Sequence, residues 1–365
     1  MTWIESFLNS RTQRVMVNGI ISEPVPVRSG VPQGSVLGPL LFLVLIGDID
    51  SDILSSFVSS FADDTRLFRA VTGVRDASSL QTDLEKVYQW AVDNNMLYNS
   101  KKLEALRYGP DQVLKATTNY TAPDGSIIPD KDSVRDLGVT MTADGSCRQH
   151  ISAMCLSARN MCAWILRTFH SHSEELMMTL WKSLVLPILD YCSQLWCPSK
   201  TGQIQEIEDI QKSLPRKIHS LKRGDYWERL DTYNLYSLQR RRERYRILYV
   251  WKILQNIVPN VGESGIKSRS SIRHGRFYLV PKPISTASAE VQQLKEGSFC
   301  VNDVKLFNSL PKSLRNLKGV DLSTFKQKLD KFLSTVADEP QCPGYTARRR
   351  AASNSLLHMI PACRL

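Results

Sequence analysis

Apolar and polar residues nearly alternate from Ser55 to Ser60 (Ser-Ser-Phe-Val-Ser-Ser) and again from Thr65 to Val71 (Thr-Arg-Leu-Phe-Arg-Ala-Val). A two-residue period predicts the strands of a β-hairpin. Phe61-Ala62-Asp63-Asp64 lies between them, which puts two carboxylates at the hairpin tip. The period then changes: Leu80, Leu84, Val87, Tyr88 and Ala91 recur at helical spacing and predict a helix packing beneath the hairpin. Leu103 to Tyr108 reads as a strand ended by Gly109-Pro110, and Asp124-Gly125 marks a turn between short β-like runs in residues 121–140. From Cys147 onward the pattern is helical, over about 147–169, 173–197 with a kink at Pro187, 203–221 interrupted at Pro215, 225–235 and 237–257. Asp225 with Glu228 makes an acidic helix start. Residues 260–290, rich in Ser, Pro and Gly, read as a linker, and a smaller strand-helix unit with a helix near 322–334 follows. The last twenty residues, with Arg348-Arg349-Arg350, read as a disordered tail.

The acidic pair carries the chemistry. Adjacent like charges repel unless water surrounds them or a cation lies between them. As a bare dipeptide, Asp63-Asp64 reads as a solvated turn. Hard cations such as Mg2+ take carboxylate oxygens and share themselves with substrate phosphates, and polymerases and nucleases use two such ions on the attacking and leaving oxygens. Thirty residues earlier stands Ser29-Gly30-Val31-Pro32-Gln33-Gly34-Ser35-Val36-Leu37-Gly38-Pro39-Leu40-Leu41-Phe42. A loop of this composition lets backbone approach a ligand closely, and Ser35 is placed to cap the apolar helix that follows.

With these two motifs in this order, the chain resembles the reverse transcriptases of non-LTR (LINE-type) retrotransposons, most closely the jockey- and CR1-like group. The resemblance extends through Trp3-Ile4 to Arg11, Val15 to Gly19, Trp90, Asn94-Asn95-Met96, Asn99, Lys101-Lys102 and Asp136-Leu137-Gly138-Val139. Farther on it takes in His150-Ile151, Pro187, Tyr191, Trp196-Cys197-Pro198, Arg241-Arg242 and Phe307-Asn308-Ser309-Leu310-Pro311, and it reaches about Tyr345. It implies that Asp63 and Asp64 are catalytic metal ligands of a two-Mg2+ site. It further implies that Pro32, Gln33 and Gly34 lie against template and nucleotide, that Lys101 or Lys102 lies near the triphosphate, and that Leu137 and Gly138 lie near the primer terminus. The family's other catalytic aspartate belongs upstream of Trp3, so the resemblance implies an incomplete metal site and a chain that is inactive alone. Asp48, Asp50 and Asp52 sit where the family has an Asn-Asp-Leu type link and read as a solvated helix end.

Composition narrows the class. At 365 residues the chain can bury a sizeable core in two or three domains. No apolar run approaches the eighteen or so residues that span a bilayer, and Met1-Thr2-Trp3 lacks the features of a signal peptide. A soluble intracellular protein, not secreted, is the expectation. The eight cysteines show neither a Cys-x-x-Cys pair nor zinc spacing and read as reduced thiols. Charge is uneven: residues 1–110 hold 10 Lys and Arg against 12 Asp and Glu, leaving 37 against 24 for residues 111–365. From Lys212 to Lys252, 12 basic residues face 4 acidic ones among interleaved Tyr and Trp. That composition suits gripping phosphates and stacking bases, and it nominates Arg216, Lys217, Lys222, Arg223, Arg240, Arg241 and Arg242 as nucleic-acid contacts. A solvated or partly buried basic helix is the alternative.

The reading is an α+β protein. A partial reverse-transcriptase palm of antiparallel sheet and packed helices occupies 1–142. A helical, thumb-like basic region follows over 143–258, then a linker over 259–290, a small C-terminal unit over 291–345 and a disordered tail over 346–365. The expected function is that of an RNA-directed DNA polymerase fragment of a mobile element, with RNA and DNA as partners, deoxynucleotides if complemented, and an upstream polymerase half in trans as a further candidate partner. A non-catalytic nucleic-acid-binding remnant, or a decayed element with no cellular role, is the alternative.

Overall fold

The computed structural model describes residues 2–109, 111–196, 198, 200–213, 225–260, 266–271, 276–280, 289–317, 319–340 and 353–360. The chain divides into two compact units, Met1–Lys131 and Asp132–Leu365.

The first unit runs α1 (Thr2–Leu8), β1 (Arg11–Gln13), β2 (Met16–Val17), β3 (Ile20–Ile21), β4 (Val25–Val27), α2 (Gly38–Ile46), β5 (Phe57–Phe61), β6 (Asp64–Phe68), α3 (Val74–Asp93), β7 (Ala105–Leu106), α4 (Gln112–Thr117) and β8 (Asp130–Lys131). β1 pairs with β4, β2 with β3 and β5 with β6, all antiparallel, while β7 and β8 are parallel. The α+β class is as expected. The antiparallel palm sheet, however, is resolved into separate two-stranded pairings among the described residues.

The alternation around the acidic pair explains how the hairpin seats. Val58 packs on Ile46, Ile49 and Val87, so β5 rests on α2 and α3 through one face. The other face carries Phe57 stacked on Phe68 at 5.5 Å, and these two with Phe61 stay exposed. The predicted stripe of α3 is buried at Val87, Tyr88 and Ala91, with Leu80 and Leu84 against a neighbouring cluster of Ala77, Tyr120, Ala122 and Ile128. The expected strand 103–108 shortens to β7. The Asp124-Gly125 turn is present, with Gly125 at φ +80° and a Thr121–Ile127 bridge; Pro110 lies outside the described residues.

The second unit begins with the hairpin β9 (Ser133–Asp136) and β10 (Val139–Thr142), then α5 (Arg148–Thr168) and α6 (Glu174–Leu180). A π-helical turn, Trp181–Val185, leads into α7 (Leu186–Asp190). The kink predicted at Pro187 is thus a π-turn before a helix whose first turn holds the proline, where a missing N–H costs least. α8 (Thr201–Ser213), α9 (Tyr226–Thr232) and α10 (Leu238–Leu254) complete the helical region. α9 opens with the Asp225–Glu228 capping box that the sequence announces. A buried apolar cluster of α5 to α8 residues, including Ile151, Cys155, Ile165, Trp181, Leu189, Trp196 and Ile207, forms one core. Burial in it pushes the thiols of Cys155 and Cys162 up to about 11.

A second core joins α10 to β11 (Lys267–Ser271), β12 (Arg276–Val280), α11 (Ala289–Gly297), α12 (Val304–Ser309), α13 (Lys312–Arg315), α14 (Leu322–Leu333) and α15 (Leu356–Met359). Two expectations change here. Within the stretch read as a linker, β11 and β12 form an antiparallel hairpin. Leu279 is fully buried, and the Asn308 amide donates to its carbonyl at 2.7 Å and accepts from its N–H at 2.9 Å. The strand-like Arg276-Phe277-Tyr278-Leu279-Val280 run prevails over the Ser and Pro content around it. Within the stretch read as a disordered tail, residues 353–360 dock on the core through Leu356 and Ile360. Buried Glu243 accepts from Ser355 Oγ at 2.6 Å and from the Leu356 N–H at 2.8 Å. No described helix is long and apolar enough to cross a membrane.

Candidate functional site

The hairpin tip is a two-residue loop. Phe61 pairs with Asp64, Ser60 with Thr65 and Ser59 with Arg66, leaving Ala62 and Asp63 as the turn. Ala62 takes φ +52°, a left-handed conformation of the kind that tight hairpin turns demand and that costs a residue with a Cβ. Asp63 therefore projects from the loop and Asp64 from the first residue of β6, both exposed. Behind them Ser60 Oγ and Thr65 Oγ1 meet at 3.2 Å. In donor type the two carboxylates fit a hard cation, which commonly binds through one or two carboxylates and completes its shell with water and substrate phosphate. In number they fall short of a complete protein site, since the described residues hold no cluster of three or more His, Cys, Asp or Glu able to bind a metal. Asp48, Asp50 and Asp52 are exposed beyond α2. Asp48 accepts from the Trp90 indole at 2.9 Å, and the Asp52 carbonyl accepts from Lys86 Nζ at 2.8 Å.

The Pro32-Gln33-Gly34-Ser35 segment is a closed turn. The Ser35 N–H donates to the Pro32 carbonyl at 3.3 Å, and Gly34 at φ +81° takes the position of a type II turn that needs glycine. The Ser35 hydroxyl donates to the same carbonyl at 2.7 Å and accepts from the Gly38 N–H at 3.0 Å. It thus caps α2 from three residues back, and Leu37 at the formal cap position makes no side-chain bond. Gln33 and Gly34 are exposed, and no atom lies within 4 Å of a Cβ built on Gly34, so the turn presents open backbone. Arg11 fixes its approach. Nε donates to the Leu8 carbonyl at 2.7 Å, and Nη2 reaches the Gly30 carbonyl at 2.5 Å and that of Ser29 at 3.4 Å. Nothing in the spacing of the sequence marks Arg11 as this clip.

Lys101 and Lys102 lie exposed on a short 3-10 turn, Ser100–Lys102, capped by Asn99, whose side chain accepts from the Lys101 N–H at 3.1 Å. Leu137 and Gly138 form the two-residue loop of the β9–β10 hairpin, at φ +43° and +83°.

The basic stretch needs the largest revision. Arg216, Lys217, Lys222 and Arg223 lie outside the described residues. Arg240, expected to meet nucleic acid, is fully buried and donates to the carbonyls of Val336 at 3.0 Å and Ala337 at 2.8 Å. Arg242 is also buried and donates to Gln239 Oε1 at 3.0 Å. Arg241 is half-buried, with Nε at 2.9 and 2.7 Å from the two Asp190 oxygens. Arg244 pairs with Asp330, and Arg246 with buried Asp303. The reason is tertiary packing: α10 is buried on several sides, and a guanidinium there binds carbonyls or carboxylates because an unpaired buried charge is costly. Arg241, Arg244, Tyr236, Tyr245 and Asp330 line a cleft of about 290 Å³. Glu208, which burial pushes up, accepts from the Tyr226 hydroxyl and from the N–H groups of Leu238 at 3.1 Å and Gln239 at 3.3 Å, anchoring the start of α10.

Residues 1–141 match the family "Reverse transcriptase (RNA-dependent DNA polymerase)". The RNA-directed DNA polymerase from mobile element jockey of Drosophila melanogaster is 27% identical over 233 residues, covering 59% of this chain and 24% of that protein. The probable RNA-directed DNA polymerase from transposon X-element of the same fly is 27% identical over 227 residues, again 59% and 24%. An uncharacterized protein of Caenorhabditis elegans is 25% identical over 178 residues, covering 45% of this chain and 87% of that protein. The chain spans about a quarter of the length of the mobile-element polymerases it matches. No solved structure matches it.

Proposed function

Because residues 1–141 are reverse-transcriptase sequence related to the polymerases of the jockey, BS and X-element non-LTR retrotransposons, we propose that this chain contributes palm elements to an RNA-directed DNA polymerase. In this reading Asp63 and Asp64 supply carboxylates to a two-metal site, and a further acid comes from another polypeptide segment. The observation that carries it is the tip of the β5–β6 hairpin, which exposes two adjacent carboxylates on a fixed turn. Bound there, Mg2+ ions would neutralise the developing charge as a primer 3′-hydroxyl attacks the α-phosphate of a deoxynucleotide. The chain's own residues bind and orient. Asp63 and Asp64 hold the cations, the open backbone of Gln33 and Gly34 lies against template or nucleotide, Lys101 or Lys102 faces the triphosphate, and the Leu137–Gly138 turn meets the primer.

Primer extension on a homopolymeric RNA template tests this reading. The chain alone gives no product. Joined to a reverse-transcriptase segment that supplies a further acid, it extends the primer, and Asp63→Asn abolishes extension. Product from the chain alone, or product that survives Asp63→Asn in the joined protein, refutes the assignment.

A second reading, a nucleic-acid-binding module without catalysis, is favoured by the basic excess of residues 111–365. It expects salt-sensitive RNA or DNA binding that Asp63→Asn leaves unchanged. Since Arg240 and Arg242 are internal, the cations serving it lie elsewhere on the chain.

A further inference from the structure

Arg348-Arg349-Arg350 has no part in the polymerase reading, yet three positions after the last of these arginines stands Ser353, where the docked C-terminal segment begins. Arginine at three, four and five positions before a serine is the flank that arginine-directed serine kinases select, since carboxylates lining a peptide groove pair with guanidinium groups at that spacing. Basic runs are common, and what distinguishes this one is the segment it precedes.

Ser353 is half-buried, and its hydroxyl accepts from the Ser355 N–H at 3.2 Å. The residues after it are held by carboxylates. Asn354 Nδ2 donates to Asp338 Oδ1 at 3.1 Å and to the Ser237 hydroxyl at 2.8 Å, and Asp338 also accepts from the Ser237 N–H at 2.6 Å. Ser355 Oγ and the Leu356 N–H both donate to buried Glu243, and Leu356 itself is fully buried in the second core. Arg240 Nε lies 3.8 Å from Asp338, but that side chain is fully buried and its terminal nitrogens serve the carbonyls of Val336 and Ala337. The segment is therefore held by neutral donors reaching into an acidic surround.

A phosphate on Ser353 reverses that balance. It brings a charge of about −1.5 to −2 at pH 7 and only acceptor oxygens. The Leu356 N–H, the donor it would seek at the start of α15, is already taken by Glu243. Repulsion from Asp338 and Glu243 then opposes docking. We propose that Ser353 is a phosphorylation site for an arginine-directed serine kinase and that its modification releases residues 353–360 from the second core. In the transfer, Ser353 Oγ bonds to the γ-phosphorus of ATP, the bond from that phosphorus to the β–γ bridging oxygen breaks, ADP leaves, and the hydroxyl proton passes to the catalytic carboxylate of the kinase. The inference goes beyond the polymerase reading and does not depend on it.

The test uses the full chain, Mg-ATP and a purified kinase that selects arginine three and five residues before serine. Peptide mapping reads the site, hydrogen exchange at the Leu356 amide reads release, and circular dichroism checks that the chain stays folded. Phosphate enters at Ser353, Ser353→Ala abolishes incorporation, and Arg348→Gln/Arg350→Gln lowers it about tenfold or more. Phosphorylation speeds exchange at Leu356 about tenfold or more. Asp338→Asn keeps an acceptor for Ser237 and Asn354 but removes the charge, so on that background the phosphate speeds exchange only about threefold or less. Should Asp338→Asn itself undock the segment, Ser353→Asp set against Ser353→Asn makes the same comparison, with faster exchange in the charged variant alone. No incorporation at Ser353, or incorporation indifferent to the arginines, overturns the site. Exchange at Leu356 that phosphorylation leaves unchanged, or that is already unprotected in the untreated chain, overturns the release.

Discussion

Replacing Gly38 with alanine probes whether the Pro32–Ser35 turn and α2 are one construction. A Cβ at position 38 would stand 3.0 Å from Ser35 Oγ, 3.1 Å from the Pro32 carbonyl oxygen and 3.5 Å from Val31 Cγ2. The two oxygens are the atoms that close the turn, through the 2.7 Å Ser35–Pro32 bond and the 3.0 Å Gly38–Ser35 bond. Moving them apart by a few tenths of an ångström weakens both bonds, each worth about 1 kcal/mol net. Against this, alanine restricts the unfolded chain and returns about 0.5–1 kcal/mol. The net loss is about 1–1.5 kcal/mol, concentrated at the turn. Native-state hydrogen exchange reads it directly, because that loss speeds exchange of the amide at position 38 about five- to tenfold. Ser35→Ala is the control. It removes the closer of the two crowded oxygens and leaves the Pro32 carbonyl, so adding Gly38→Ala to it costs less than in the wild-type chain. Exchange at position 38 that is unchanged or slower in Gly38→Ala, or a penalty that persists in full on the Ser35→Ala background, would refute the packing argument.

Three further outcomes follow from the second unit. Asp303→Ala leaves the Arg246 guanidinium buried without its carboxylate and should destabilise the unit by about 3–5 kcal/mol, read as a fall in melting temperature. Deleting residues 353–365 strips Leu356 and Ile360 from the second core and leaves buried Glu243 without Ser355 Oγ and the Leu356 N–H. A loss of about 4 kcal/mol is expected, and an unchanged denaturation midpoint would contradict the docking. Burial, aided by Arg135, holds His150 below the ordinary histidine value of 6.5, so between the two values the unfolded chain binds more protons. Its contribution is full above pH 6.5 and is lost as pH falls through the folded value; exchange at the Thr140 amide, which donates to His150 Nδ1, should quicken on acidification, and His150→Gln should remove that pH dependence.

How far the sequence could be read depends on where the information lies. The acidic hairpin, the helix beneath it and the Asp225–Glu228 cap were legible because period and capping chemistry are local, as Val58, Val87 and the α9 capping box show. Pro187 announced a break in its helix, although its form, a π-turn, depends on packing around Trp181 and Val185. The arginines of α10 misled because charge composition is silent about partners distant in sequence: Arg240 meets carbonyls 96 and 97 residues away. For the same reason the docking of 353–360 was hidden, since Glu243 is 112 residues from Ser355. Arg11 and Tyr191, whose hydroxyl donates to the Leu137 carbonyl, act through backbone carbonyls, which carry no side-chain signature, so their roles emerge only in the folded chain.

The central proposal, that Asp63 and Asp64 bind divalent metal at the hairpin tip, is tested most directly by titrating the chain, 15N-labelled at alanine, with Mn2+. Paramagnetic broadening of the Ala62 amide at concentrations that leave Ala91 sharp, and its loss in Asp63→Asn/Asp64→Asn, is the predicted result. Broadening that spares Ala62, or that survives removal of both carboxylates, would contradict the account.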